Sequence, residues 1–180
     1  MASLRTLVAY VEDKPGVLNR VASLFRRRGY NIASLNVGRT HENGVSRMTI
    51  VVEGDARVAQ LMEANLYKLV NVLSVQDITD TPAVVRDMAL VKVDSIAERR
   101  AELLQIIEVF HARVVDICPG SLIAEITGSP DKIDAFVEVL KPFGITEMVQ
   151  TGRIAMTRGV ESEASRISHG QNVETVVTAA

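Results

Sequence analysis

The residues best suited to bind a ligand form a turn near the start of the chain, Asp13-Lys14-Pro15-Gly16, which runs into Val17 and Leu18. Glycine lets a ligand approach the backbone closely, and the first N–H groups of a helix lack partners within that helix. A carboxylate at a helix start gains hydrogen bonds and a favourable dipole. The turn therefore predicts an anion site, although glycine at this place is also ordinary turn chemistry.

A second polar turn ends at Asn31 and Ile32, and we expect it to return close to the first. The Asn31 carboxamide can then bond an α-carboxylate or an α-ammonium group, because an amide both donates and accepts hydrogen bonds. Val17, Leu18 and Ile32 would form a small apolar wall. Together the two turns indicate binding of a small molecule rather than catalysis.

Patterns typical of catalytic or metal sites are scarce. His41, His111 and His169 are spread over a hairpin tip, a helix end and the C-terminal segment. The sequence has no zinc-protease, paired-cysteine, nucleophile-elbow or Walker-type motif. The adjacent carboxylates Glu12 and Asp13 fit a helix cap better than a proton-sharing pair. We therefore predict a chain without catalytic residues and without a metal site.

The composition is that of an ordinary soluble protein of 180 residues, with a net charge of -2 and no tryptophan. This charge argues against a surface for nucleic acid, and the Arg26-Arg27-Arg28 run fits the favourable end of a helix dipole. No apolar run reaches the roughly 18 residues of a membrane span, and the N-terminus lacks a signal-peptide pattern. We expect a cytoplasmic protein.

The positioning elements follow from hydrophobic periodicity. Residues 4–11 predict a strand, and a helix with Asp13 as N-cap and Pro15 in its first turn ends at Gly29. A hairpin of residues 31–38 and 46–53, a second helix over 55–69 and a strand over 70–78 complete a β-α-β-β-α-β order.

The same order then begins again after a junction near residues 79–85. A strand over 88–94, a helix opened by a capping box at Ser95, two strands, a helix after Ser129 and a last strand over 147–157 follow. The fold class is therefore α+β, with two ferredoxin-like units over residues 1–79 and 80–159 and a flexible tail over 160–180. Arg100-Ala101 stands where the first unit has its glycine turn, so we expect the second unit to supply packing or partner contacts.

Two other classes share this topology. An RNA-recognition domain would need paired aromatic residues on its sheet, and Arg28-Gly29-Tyr30 is only a fragment of that signature. An acylphosphatase-like hydrolase would need an arginine and an asparagine that converge on phosphate, for which Arg20 and Asn31 are conceivable. Both alternatives are weaker than small-molecule binding.

Four segments of the first unit carry a family resemblance. They are Asp13 to Val21, Phe25 to Leu35 with its Gly29-Tyr30-Asn31-Ile32 core, and the later runs Ser46 to Ile50 and Leu66 to Val72. These segments closely resemble the small regulatory subunit of acetohydroxyacid synthase, also called acetolactate synthase. The resemblance continues more loosely from Arg86 to Gly159, so that it covers nearly all of the chain except the tail.

The resemblance implies an N-terminal ACT domain, a C-terminal ferredoxin-like domain and a homodimer in which two ACT sheets meet. Members of this family bind the large catalytic subunit, raise its activity and confer feedback inhibition by valine. Thiamine diphosphate, FAD and magnesium belong to that catalytic subunit, and this chain is expected to hold none of them. An ACT-type amino-acid sensor that acts on another enzyme is the alternative.

By similarity, the valine site lies between the ACT domains of two subunits. The matching positions here are Asp13, Gly16, Val17, Leu18, Asn31 and Ile32. Some relatives have asparagine in place of Asp13, so the negative charge is expected to disfavour the ligand carboxylate unless it faces the ammonium group. A sheet with helices on one face only would leave the other face open, which is a physical reason to expect pairing of two copies.

Overall fold

The computed structural model describes residues 4–159, and the tail predicted over 160–180 lies outside the described residues. The described chain divides into two compact units. The first comprises residues 4–84 and 155–159, and the second comprises residues 85–154.

The first unit has the predicted β-α-β-β-α-β order. Its elements are β1 (Leu4–Glu12), α1 (Val17–Arg28), β2 (Ile32–Arg39), β3 (Val45–Glu53), α2 (Ala56–Leu66) and β4 (Val72–Asp77). The strands form an antiparallel sheet in the order β2-β3-β1-β4, so that β2 is an outer strand. Each helix connects two parallel strands that have another strand between them, α1 from β1 to β2 and α2 from β3 to β4. This order confirms the predicted fold class.

The second unit repeats this topology. Its elements are β5 (Ala83–Asp94), α3 (Arg100–Val109), β6 (Arg113–Ile117), β7 (Ser121–Gly128), α4 (Pro130–Leu140) and β8 (Ile145–Gln150). The sheet order is β6-β7-β5-β8, and a short β9 (Ile154–Thr157) also pairs with β5. The single last strand predicted over 147–157 is wrong. The strand is interrupted between β8 and β9, where Gly152 has a φ of 80°.

The core of the first unit lies between the helices and one face of the sheet. The predicted stripe of α1 buries Val17, Val21, Leu24 and Phe25, whereas Leu18 is 44% exposed. Because side chains alternate along a strand, every second residue of β1 and β3 joins this core. These strand residues are Leu7, Ala9, Val11, Met48, Ile50 and Val52.

The second face of the same sheet is also buried, so the prediction of an open face is wrong for this chain. Val8, Val51 and Ile78 on that face are 4%, 2% and 3% exposed. The segment 155–157 contacts this face, because the Arg47 guanidinium donates a hydrogen bond to the Ala155 carbonyl. Because this face is already covered, its apolar surface gives no reason to expect pairing of two copies.

The capping box predicted at Ser95 is wrong as well. A short 3-10 turn, Ala97–Arg99, precedes α3, and the buried Ser95 hydroxyl accepts a hydrogen bond from Arg100 Nε at 3.0 Å. Arg100 also donates to the carbonyls of Cys118 and Pro119 at 3.2 and 2.7 Å. In the second unit, an arginine bonded to its own chain thus occupies the place of the glycine turn.

Candidate functional site

The glycine turn opens α1 in an unusual way. Gly16 is the N-cap residue and has a left-handed backbone with φ of 82°, which glycine adopts without steric cost. The helix therefore begins only at Val17, and the prediction of Asp13 as N-cap with Pro15 inside the first turn is wrong. Asp13 instead places its carboxylate Oδ2 3.3 Å from Arg39 Nε, and its backbone N–H donates to the Gly44 carbonyl at 2.7 Å.

The start of α1 keeps free hydrogen-bond donors. The Val17 N–H is 3.4 Å from the Lys14 carbonyl, and the Arg20 N–H donates to the Gly16 carbonyl at 3.1 Å. Between these two, the backbone N–H groups of Leu18 and Asn19 have no acceptor within residues 4–159. Two parallel amides at a helix start suit the two oxygens of a carboxylate.

A guanidinium stands beside these amides. A Cβ added to Gly16 would lie 3.9 Å from Arg20 Nη2. Arg20 Nη1 donates to the Asn71 carboxamide oxygen, and the Asn71 amide in turn donates to Glu12. Sequence reasoning considered Arg20 only for phosphate chemistry, but its position four residues after Gly16 places it on the same helix face one turn later.

The charges around the turn leave a net positive environment. Hydrogen bonds from the Asn71 carboxamide and then from the Lys14 ammonium lower the pKa of Glu12 below its usual value. The Glu12 carboxylate is therefore ionised at neutral pH, and together with Asp13 it offsets two of the three cations Lys14, Arg20 and Arg39. The remaining positive charge, together with the helix dipole, favours an anion at the turn.

The two apolar residues of the turn play different parts. The Val17 side chain is 4% exposed and belongs to the core, so its predicted place in an apolar ligand wall is wrong. Leu18 points away from the core and is 44% exposed beside the open amides. Of these two residues, Leu18 is the one that offers an aliphatic surface to a ligand.

Asn31 and Ile32 lie at the other end of the sheet from the turn. The 12 residues of α1 separate the two segments by about 18 Å along the helix axis. The strand register agrees, since Ile32 pairs with Val52 and Val52 with Arg5, while Glu12 pairs with Val45. The prediction that the second turn returns close to the first is wrong within one chain. Helix α1 starts at one end of the sheet and finishes at the other, so the turns before and after it lie at opposite ends.

The outer strand β2 nevertheless links the two halves of the predicted site. Asn31 and Ile32 stand at its beginning, and Arg39, which contacts Asp13, stands at its end. Within the described part of the chain, β2 pairs with β3 alone. The predicted effector residues are therefore divided between the two ends of this outer edge, with Asn31 and Ile32 at one end and the Asp13–Leu18 turn at the other.

The residues considered for a hydrolase site or a metal site are not brought together within the described part of the chain. Arg20 and Asn31 lie near opposite ends of α1, so these two residues do not converge as an acylphosphatase site would need. His41 is exposed and His111 follows α3, whereas His169 lies outside the described residues. Residues 4–159 contain no cluster of three potential metal ligands. None of the described helices has both the length and the apolar character of a membrane span.

Comparison with known protein families gives two matches that together span both units. The family described as AHAS small subunit-like ACT domain matches residues 7–74, which contain the glycine turn and β2. The family described as small subunit of acetolactate synthase matches residues 86–159.

Individual relatives agree with these matches. The chain is 46% identical over 154 residues to a probable acetolactate synthase small subunit of Archaeoglobus fulgidus, covering 86% of this chain and 96% of the relative. It is 49% identical over 149 residues to the acetolactate synthase small subunit of Aquifex aeolicus, covering 82% and 78% of the two chains.

A solved structure matches the fold as well as the sequence. The crystal structure of the acetolactate synthase small subunit from Thermotoga maritima superposes with a TM-score of 0.82 at 36% identity, covering 88% of this chain and 99% of that one. The resemblance seen in the sequence is thus confirmed over both units, and the chain belongs to the family of acetolactate synthase small subunits.

Proposed function

We propose that this chain is the regulatory subunit of an acetohydroxyacid synthase in branched-chain amino acid biosynthesis. It binds the large catalytic subunit, raises its activity and confers feedback inhibition by valine. Relatives named small subunit, matched over more than four fifths of this chain, support the role, as does the match to an ACT domain. Thiamine diphosphate, FAD and magnesium are bound by the catalytic partner, and this chain contributes no catalytic residue.

The observation that carries the proposal is the placement of the predicted site residues at the two ends of one outer strand. Two identical edge strands related by a two-fold axis pair antiparallel. The beginning of β2 in one protomer then lies beside the end of β2 in its partner. The Asp13–Leu18 turn of one protomer thereby meets the partner's Asn31 and the partner's Ile32 in a homodimer.

A free branched-chain amino acid fits the chemistry of this seam. Its carboxylate accepts hydrogen bonds from the Leu18 and Asn19 amides beside the Arg20 guanidinium. Its ammonium group faces the Asp13 carboxylate and the carboxamide oxygen of the partner's Asn31. Its aliphatic side chain packs between Leu18 and the partner's Ile32. Asp13 then favours the ligand, because it faces the cationic end of the amino acid.

A ligand held between two protomers reports on how they are arranged. If valine binds one arrangement of the dimer better than another, it shifts the population of that arrangement. Coupling free energies of this kind are typically about 1–3 kcal/mol, which changes the activity of a bound enzyme several-fold. No catalytic residue is needed on this chain for such an effect.

Reconstitution with the cognate catalytic subunit tests the proposal. We expect the two chains to copurify, the added chain to raise synthase activity, and valine to lower that activity in a saturable way. The catalytic subunit alone, assayed with the same valine series, is the control. A synthase whose activity does not respond to this chain would contradict the role and leave a sensor for another enzyme as the better assignment.

A further inference from the structure

A cavity of about 380 Å³ lies on the second face of the first sheet, on the side away from the helices. Val8, Ile78 and Met156 form its apolar surface, and β9 supplies Met156 as one wall. Its volume is within the range of cavities that hold small metabolites. The predicted effector site, which lies at the start of α1, shares none of the residues that line this cavity.

The cavity contains a half-buried cation that forms no ion pair with the described residues. The Arg47 guanidinium donates to the Tyr10 hydroxyl at 3.3 Å, to the Thr49 hydroxyl at 3.1 Å and to the Ala155 carbonyl. All three acceptors are neutral, and within residues 4–159 no carboxylate forms an ion pair with Arg47. Since a guanidinium has five N–H donors, two remain for a further acceptor. A bound anion would both neutralise the charge and use these donors.

The rim adds hydrogen-bonding groups. Arg39, whose Nε lies 3.3 Å from the Asp13 carboxylate, ends β2, and His41 follows it. The described lining residues themselves include no aspartate or glutamate. The Gln76 carboxamide and the Thr157 hydroxyl complete the polar part of the lining. This set can bind a carboxylate, but it offers no carboxylate to balance an ammonium group.

From this arrangement we propose that the cavity binds a small aliphatic carboxylate that carries no ammonium group. The carboxylate lies against Arg47, and the hydrocarbon body lies on Val8, Ile78 and Met156. The site is separate from the proposed amino-acid effector site, and its existence does not depend on that assignment.

Three related compounds, valine, 3-methylbutanoate and 3-methylbutanamide, test the ligand class on the full-length protein. 3-Methylbutanoate is valine without its ammonium group, and 3-methylbutanamide also lacks the negative charge. By calorimetry we expect saturable binding of 3-methylbutanoate that valine does not compete away, and no binding of 3-methylbutanamide. Equal binding of the acid and its amide, or no saturable binding of the acid, would overturn the proposal.

Arg47→Gln tests the residue assignment, with Arg57→Gln on helix α2 as a variant that removes the same charge from the opposite side of the sheet. The affinity for 3-methylbutanoate should fall about tenfold or more in R47Q and stay unchanged in R57Q. Equal affinity in R47Q and wild type contradicts the assignment.

If R47Q does not fold, the backbone NMR spectrum of the wild-type protein decides. Shifts on addition of 3-methylbutanoate at residues 8–10 and 155–157 support the proposal. Shifts confined to the turn at Gly16 contradict it, because they would assign the acid to the effector site.

Discussion

The Asp13 carboxylate lies 3.3 Å from the Arg39 guanidinium, and this pair joins the glycine turn to the end of the outer strand β2. Both side chains are exposed, so the pair adds little to stability. Its importance is positional. Any partner strand that pairs with β2 at this end comes next to Asp13 and to the open amides of α1.

Asp13→Asn tests which end of the ligand this carboxylate faces. Because the proposed seam places Asp13 beside the ammonium group, the substitution should weaken valine binding several-fold. Calorimetric titrations at low and high salt provide the measurement, and the difference should shrink at high salt because exposed charges are screened. Tighter valine binding in D13N would show that Asp13 faces the ligand carboxylate.

Arg20→Gln tests the cation beside the open amides. A charge-assisted hydrogen bond to the ligand carboxylate is worth about 1.5–3 kcal/mol, so valine affinity should fall about tenfold or more. Arg57→Gln, which removes an equal charge from an exposed position on α2, should bind valine as the wild type does. Unchanged affinity in R20Q would remove this residue from the site.

Two substitutions at Gly16 separate backbone strain from occupation of the site. Gly16→Ala puts a Cβ on a left-handed residue at a cost of about 1 kcal/mol. Gly16→Asp adds a carboxylate beside Arg20 and the free amides, where it takes the place of the ligand. Valine binding should be weakened in G16A and abolished in G16D, while both variants still activate the catalytic subunit. Equal effects of the two substitutions on valine affinity would mean that strain alone is responsible.

The Arg5–Asp77 pair between β1 and β4 makes the first unit sensitive to acid. Burial by itself would raise the pKa of Asp77, but hydrogen bonds from the Thr79 hydroxyl and amide and from Arg5 outweigh it and lower this pKa. A carboxylate with a lowered folded-state pKa stabilises the fold above its unfolded-state value near 3.8. That contribution disappears as the pH falls through the lower folded-state value.

Asp77→Asn should therefore lower the free energy of unfolding by about 1–3 kcal/mol at pH 7, and the difference from wild type should shrink below about pH 4. Urea unfolding followed by tyrosine fluorescence reports on this unit, because Tyr10, Tyr30 and Tyr67 all belong to it. Asp80→Asn is the matched control, since Asp80 bonds the same arginine but is 81% exposed. A D77N deficit that is constant with pH would contradict the linkage.

The topology of both units was predictable because periodicity changes clearly between strands and helices. The stripe of Val21, Leu24 and Phe25 is an example, since all three are buried as predicted. The helix starts were less predictable. Because Gly16 has a left-handed backbone and is the N-cap, α1 begins at Val17, too late in the sequence for Asp13 to cap it. In the second unit, the Ser95 hydroxyl accepts a hydrogen bond from Arg100 instead of capping the helix.

The spatial arrangement of the site was the least predictable part. Asn31 follows Gly16 by only 15 positions, but α1 carries the chain to the opposite end of the sheet. Sequence distance gave no sign of this separation, which follows only from the direction of the helix. The contact of residues 155–157 with the second sheet face was also missed, because these residues follow β4 by more than 70 positions.

The proposed valine site is shared by two protomers, and a mixed dimer tests this claim most directly. One tagged chain carries Gly16→Asp and a differently tagged chain carries Asn31→Ala, and tandem purification isolates the dimer that contains one of each. Each variant alone should bind no valine. In the mixed dimer, one seam site receives both substitutions, and the other joins an intact turn to an intact Asn31.

Calorimetry of the mixed dimer then counts its valine sites. A shared site predicts that the mixed dimer recovers one site of wild-type affinity, half the number found in the wild-type dimer. A site confined to one protomer would be damaged in both chains, so a mixed dimer that binds no valine would contradict the account.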